Sequence, residues 1–413
     1  MAGDARVRGS AREATFVTDS STGSGSGRLA VGALLVFGAM LPGTIVIPVI
    51  RSFVTASWPG AEWLMHAFIA VNLLGAVVGG PVLAVRAERL GRRRLVAGVS
   101  AMLDGLFLLA VTLSPPVAVL LALRFVQGTV YIAAVSILMG TIRRQSKSAA
   151  AMGVVGSAVV MSILIGIPLG AILGKADPSL PLIVGGVLGA LTGIGALIAL
   201  PRATDAEQSR VTFRALVFEA PLLRGPAIVV ALERFGVGAF IVPLQLYGHH
   251  VMKVPDSQVN AWFSVFLMIF AVGTWPMSRL GDRVDRWRLV ALGAVVYAAS
   301  YVAIGFVSVQ GLWLVLAAGG LASAAIYGPS LGLAAQAVPQ EARASAMAVL
   351  NAAGTLGMFL GSTLAGTLSS ALLTANYERG FAYTTVFCTA GVAQLISVVV
   401  ALRARAALAK RDS

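Results

Sequence analysis

The apolar positions of this chain fall into long runs separated by short polar segments. A helix needs roughly 20 apolar residues, at about 1.5 Å rise each, to cross a bilayer. Runs near 29–50, 63–85, 95–113, 116–141, 150–173 and 179–201 meet that length, and a second set follows near 225–248, 260–280, 289–308, 312–337, 346–369 and 381–402. The turn Ser114-Pro115-Pro116 separates the third run from the fourth. The longest internal polar stretch, 202–224, divides the runs into two sets of six. The pattern predicts an all-α membrane protein of twelve transmembrane helices: a bundle over 29–201, a linker over 202–224 and a bundle over 225–406. A Gly-, Ser- and Thr-rich tail, 1–28, is expected to be disordered, and 407–413 forms a C-terminal tail.

Composition supports the bilayer. The chain is 58% hydrophobic and 12% charged, with mean hydropathy +0.88, whereas a soluble domain is about half apolar and about a quarter charged. The net charge of +14 does not point to nucleic acid, because the basic residues lie in short blocks between apolar runs rather than in a basic domain. One cysteine, Cys388, excludes an internal disulfide, and with only His66, His249 and His250 beside it a metal cluster is not expected. The composition implies membrane lipids as partners. Residues 1–28 do not read as a cleavable signal peptide, so the first span serves as its own insertion signal. Lys and Arg set the orientation. With the N-terminus inside, the inner segments carry nearly all of them, and the outer loops keep only Arg51, Lys175, Lys253 and Arg379. Both termini and the linker are therefore expected in the cytoplasm, with the protein in the inner (plasma) membrane.

The two halves resemble each other. Glu88-Arg89 after the second span recurs as Asp282-Arg283 after the eighth; Ala151-Met-Gly-Val154 recurs as Ala346-Met-Ala-Val349; and Gly166 and Leu169 recur as Gly361 and Leu364. The shared offset joins elements of equal orientation, so the repeat is parallel, with its axis along the membrane normal.

Three motifs carry a family resemblance. The loop after the second span reads Ala84-Val-Arg-Ala-Glu88-Arg89-Leu-Gly91-Arg92-Arg93. It resembles the signature loop of the major facilitator superfamily, with Ala84 in place of the first glycine and Glu88 in place of aspartate. The resemblance implies that Glu88 faces the N-terminus of the eleventh span and locks an inner gate, a contact that helix N-termini favour for anions. Without that role, these arginines fix topology. The second copy, Asp282-Arg283-Val-Asp285-Arg286, has Asp285 where glycine is expected. Span four carries Arg124-Phe-Val-Gln127-Gly128, similar to the family's second motif. It implies an arginine that couples protons to transport; a structural pairing is the alternative, since an arginine within a span needs a partner or water. Span five holds Gly156 and ends Gly166-Ile-Pro168-Leu-Gly170, which looks like the exporter motif of the drug- and sugar-efflux (proton antiporter) branch. Glycines permit close helix approach and proline bends the helix. Span one reads Met40-Leu-Pro42-Gly-Thr44, with proline where many proton-coupled members place an acid.

Two membrane carboxylates remain as proton carriers, Asp104 and Glu233. Asp104 and Arg124 fall at similar depth and are expected to form an ion pair. Glu233 either faces the central cavity alone or pairs with Arg234 through another helix or water, since side chains one position apart do not share a helix face. Candidate cavity residues, on spans that line the cavity in that family, are Thr44, Tyr131, Gln245, Tyr327 and Asn351. A mixed polar and aromatic lining suits an amphipathic or hydrophobic solute. The resemblance implies a small-molecule solute and protons as partners, no cofactor and a monomer. The expected function is proton-coupled export of such a solute by alternating access. A facilitator or importer of the same fold is the first rival. A membrane-embedded lipid-modifying enzyme is the second, and it lacks a clustered catalytic set.

Overall fold

The computed structural model describes residues 22–60, 63–145, 149–201 and 220–409. Residues 1–21, most of the 202–224 linker and the last residues of the C-terminal tail lie outside this range. Helices follow one another through the chain: α1 (Thr22–Ile45), a 3-10 turn (Ile47–Val49), α2 (Ile50–Ser57), α3 (Trp63–Arg89), α4 (Arg93–Val111), α5 (Val117–Gln145), α6 (Ala149–Gly174) and α7 (Leu180–Ala199), then α8 (Pro221–His250), α9 (Asp256–Leu280), α10 (Arg286–Ile304), α11 (Val309–Gln336), α12 (Arg343–Thr374) and α13 (Arg379–Ala409). Twelve segments among the described residues are long and apolar enough to span a membrane, with α1, the 3-10 turn and α2 counted as one. That first span breaks at Pro48, which carries no amide hydrogen for a helical bond. Helix α1 starts at Thr22, inside the segment expected to be a disordered tail.

The helices pair in the same way in both halves. In the first, α1 packs on α6, α3 on α5, and α4 on α7; in the second, α8 packs on α12, α9 on α11, and α10 on α13. These are equivalent elements, so the weak sequence repeat corresponds to a repeated packing order. The halves meet through α6 against α9 and through α12 against α3 and α5. Large apolar side chains such as Leu34, Leu113, Ile198, Phe306 and Leu314 are exposed around the outside, as lipid contact requires and a soluble surface does not. The interior of the second half is aromatic, with Phe240 edge-on to Phe266 and Tyr301.

Both ends of the described chain, with the turns after α3 and α9, lie at one end of the bundle, here called the basic end because Arg86, Arg89, Arg92, Arg94, Arg283, Arg288, Arg403 and Arg405 gather there. The turns after α2, α4, α8 and α10 lie at the opposite end.

Candidate functional site

The basic end is tied shut between the halves. Helix α3 ends on Gly91, whose φ of +64° is the left-handed conformation that glycine adopts without a Cβ penalty. The turn leaves Glu88 facing the start of α12. Its carboxylate is 1% exposed and accepts from Ala344 N at 2.8 Å, from Ser345 N at 3.1 Å and from the Ser345 hydroxyl. The first amides of a helix have no intrahelical acceptor, so a buried carboxylate there satisfies them and meets the positive end of the helix dipole. Arg93 lies 3.8 Å from Glu88 and donates to Glu341 O at 2.9 Å, so it reaches across the same seam. Arg89, Arg92 and Arg283 are exposed. Asp282 accepts from Ala150 N, at the start of α6, at 3.2 Å and from Arg286 at 2.7 Å. Asp285, which replaces the expected glycine, caps α10 by accepting from Trp287 N and Arg288 N, and takes Arg405 of α13 at 2.6 Å. Burial pushes the Asp285 carboxyl up, but those hydrogen bonds outweigh it and hold the group below the usual carboxylate range.

The first half holds a buried polar chain rather than the expected ion pair. Arg124 donates to Phe68 O at 3.1 Å and to the Gln127 side-chain oxygen, and its guanidinium carbon sits 4.0 Å from the centre of the Phe68 ring. Gln127 in turn is the hydrogen-bonding neighbour of Asp104, while the Arg124 charge acts on Asp104 from farther away. No direct salt bridge joins Asp104 and Arg124; one turn of helix brings Gln127 alongside Arg124, and Gln127 is also a neighbour of Asp104. Gly128 follows because α5 and α3 touch there; a Cβ on it would lie 1.9 Å from the Asn72 carbonyl oxygen.

In the second half, Glu233 is fully buried and does not face a cavity alone. Ser323 of α11 donates to its Oε1 at 2.6 Å. Its Oε2 accepts no hydrogen bond, and its nearest charge is Arg234 Nε at 3.3 Å. The two side chains leave the helix in different directions, yet the long arginine stem bends back far enough to meet the shorter acid. Arg234 lies over the Tyr327 ring at 4.7 Å and near Phe270 at 5.4 Å. Behind Glu233, Tyr301 donates to Tyr297 at 2.8 Å.

Between the halves stand Tyr131 and Tyr327. Tyr131 donates to Met40 Sδ at 3.0 Å and lies within the electrostatic reach of Arg234, Tyr327 and Asp104. Tyr327 is 2% exposed, close enough to α6 that a Cβ on Gly156 would sit 3.4 Å from its ring. On the basic side of this level, Asn351 of α12 donates to Ser136 of α5 at 2.9 Å, which joins the halves. Gln245 is exposed on α8, about three turns beyond Arg234 toward the opposite end and on the same face. Thr44 belongs elsewhere: its hydroxyl, 4% exposed, donates to Ser162 O at 2.9 Å and to Leu41 O at 3.0 Å, so it joins α1 to α6 rather than lining a cavity. The glycines of α6 serve two contacts. Gly166 and Gly170 admit α1, where Cβ atoms would lie 2.1 Å from Thr44 Oγ1 and 1.9 Å from Ile45 O, and Gly156 admits α9 of the other half, at 2.9 Å from Thr274. Pro168 is exposed between the first two. Among the described residues, no three His, Cys, Asp or Glu side chains gather as a metal site would require.

A family model for the Major Facilitator Superfamily matches residues 32–255 and 226–413. The chain belongs to this superfamily. It is accordingly a multi-pass membrane transporter of a small molecule, and not an enzyme. No curated protein matches it by sequence. In fold it is similar to the crystal structure of the human organic anion transporter MFSD10 (TETRAN), with a TM-score of 0.70 and 17% identity over 91% of this chain and 99% of that one. It is also similar to a bacterial homologue of the iron transporter ferroportin in an outward-facing state, with a TM-score of 0.67 and 14% identity over 92% and 99% of the two chains. At these identities the likeness speaks for the fold alone.

Several residues of this superfamily member escaped the sequence reading. Ser345, Ser323 and Ser136 each bond to a candidate residue, but a serine in an apolar helix carries no signal until its partner is placed. Arg234 was visible as an intramembrane charge, and that alone was reason to treat it as functional.

Proposed function

We propose that this transporter exports a small amphipathic solute across the inner (plasma) membrane by alternating access, as a monomer with both termini in the cytoplasm, and that it is coupled to protons through Glu233. The two repeated bundles are the moving parts of this reading, with the 202–224 linker expected on the cytoplasmic side. The carrying observation is the buried Glu233, with one oxygen held by Ser323 and the other unbonded beside Arg234, whose guanidinium lies over Tyr327. A carboxylate that loses its proton there must form or tighten a charge pair within the protein, and one that gains a proton releases it. Span one offers Pro42 in place of an acid, and Asp104 is buried beside Gln127 and Arg124, which favours Glu233 as the carrier. Three further points support the reading. The bonds between the halves that fix the basic end, from Glu88, Arg93, Asp282 and Asn351, suit a state closed to the cytoplasm. The basic residues favour that end as the inner one. The span-five motif, which resembles that of exporters, supports export; its glycines let α6 contact both α1 and α9.

The test uses purified protein in proteoliposomes, with solutes chosen by a thermal-shift screen. Glu233→Gln should lose solute movement driven by an imposed pH gradient and keep solute-for-solute exchange. Full gradient-driven movement by the variant contradicts the role of Glu233.

A further inference from the structure

The ion pair at the centre is lopsided. The Glu233 side chain is 0% exposed, whereas that of Arg234 is 14% exposed. The acid is held from behind by Ser323 of α11, with Tyr297 and Tyr301 of α10 beyond it. The arginine is the more exposed member, and its charge reaches Tyr131 of α5, in the other half. Its closest approach to the carboxylate is through Nε, with the Tyr327 side chain a further polar neighbour of the guanidinium and its two Nη groups. Those groups are the planar fork that binds carboxylates and other oxyanions through paired hydrogen bonds. Aromatic rings flank the guanidinium: Tyr327 at 4.7 Å and Phe270 at 5.4 Å. On α12, Gly354 leaves room for the stem, since a Cβ there would lie 3.2 Å from Arg234 Cγ.

We propose that the solute is an organic anion with an aromatic or apolar body, that Arg234 holds its charge, and that it binds together with a proton on Glu233. This rests on the transport reading above and specifies its substrate class. The coupling follows from charge balance. With Glu233 ionised, Arg234 is already neutralised, and an anion would bring an uncompensated negative charge into a buried site. A proton on Glu233 removes the competing carboxylate, leaves Arg234 for the solute, and keeps the loaded site neutral. The groups facing Glu233 are Arg234 from its own helix, Tyr297 and Tyr301 from α10, and Ser323 and Tyr327 from α11; against Arg234, α9 and α12 place Phe270 and Gly354, which do not titrate. Solute and proton therefore travel in the same direction, as one neutral acid. This differs from the antiport that the efflux-branch resemblance implies.

The experiment measures binding to full-length protein in nanodiscs with three probes of one shape: 2-naphthoate, 2-naphthalenemethanol and 2-naphthalenemethylamine. The carboxylate should bind best. Its affinity should fall as pH rises, by up to about tenfold per unit, because binding takes up a proton. Arg234→Gln should weaken the carboxylate by about tenfold or more and leave the alcohol unchanged. Should that variant fail to fold, with Glu233 left buried and unpaired, the Glu233→Gln/Arg234→Gln double variant carries the same expectation. Glu233→Gln alone should bind the carboxylate with no pH dependence between pH 6 and pH 8. Preference for the amine or the alcohol, no binding of the carboxylate, or carboxylate binding by Arg234→Gln equal to wild type each overturn the proposal. Exchange of the alcohol or the amine in proteoliposomes would keep the transport reading while ending this one.

Discussion

At the scale of single residues, the membrane charges are organised by neighbours that carry no charge. Gln127 takes a hydrogen bond from Arg124 and neighbours Asp104, and Ser323 fixes one oxygen of Glu233. A buried acid or base left without its partner costs about 3–5 kcal/mol, and a buried hydrogen-bonding group left unsatisfied costs about 1–3 kcal/mol. Gln127→Leu should therefore lower stability in thermal unfolding, while the Arg124→Gln/Asp104→Asn double variant should be more stable than either single one. A neutral Gln127→Leu would show that the amide does not join the two charges. The depth of these residues was legible in the sequence, because position along a span gives depth directly. Their partners were not. The rule that neighbouring side chains point apart holds for Cβ directions, but the Arg234 stem is long enough to bend back to Glu233. Thr44 misled for a related reason: a hydroxyl on a cavity-lining helix turns to a neighbouring helix as readily as to the cavity, and its bond to Ser162 O decides which.

At the scale of elements, nearly all of the spans were legible, since a bilayer imposes their length and polarity. The exceptions are ends and breaks. Helix α1 runs back to Thr22, and the first span divides at Pro48, because apolar content says where a chain is buried and not where its backbone bonds change partner. The helix contacts of α6 rest on small residues that the sequence displays, whereas the choice of α1 and α9 as partners is a property of the packed bundle. Asp285 illustrates the turn chemistry. It stands where the repeat expects glycine, and acts as the cap of α10 and the anchor of Arg405 in α13. Its folded carboxyl sits below the ordinary range, so it contributes stability above the unfolded value of about 3.9. That contribution fades as pH falls through the lower folded value. Asp285→Asn should reduce the melting temperature at pH 7, and the gap to wild type should close below about pH 4. An equal gap at pH 7 and pH 3 would contradict the charge pairing.

At the scale of the whole molecule, the two halves touch through α6 and α9 and through α12 with α3 and α5, and their mutual hydrogen bonds gather toward the basic end. The repeat in the sequence announced two related halves. What it did not announce is where they meet, because the seam depends on single contacts such as Glu88 with Ser345. On the proposed alternating-access cycle this seam opens, and Glu88, 1% exposed, is its buried ionic tie. The most direct measurement is the distance between spin labels on Leu90 and Val284, both exposed at the basic end of opposite halves, in a Cys388→Ser background. Protein with Glu88 intact should give one short, narrow distribution. Glu88→Lys should add a longer component and slow transport without preventing membrane insertion. An unchanged distribution with normal transport would contradict the account.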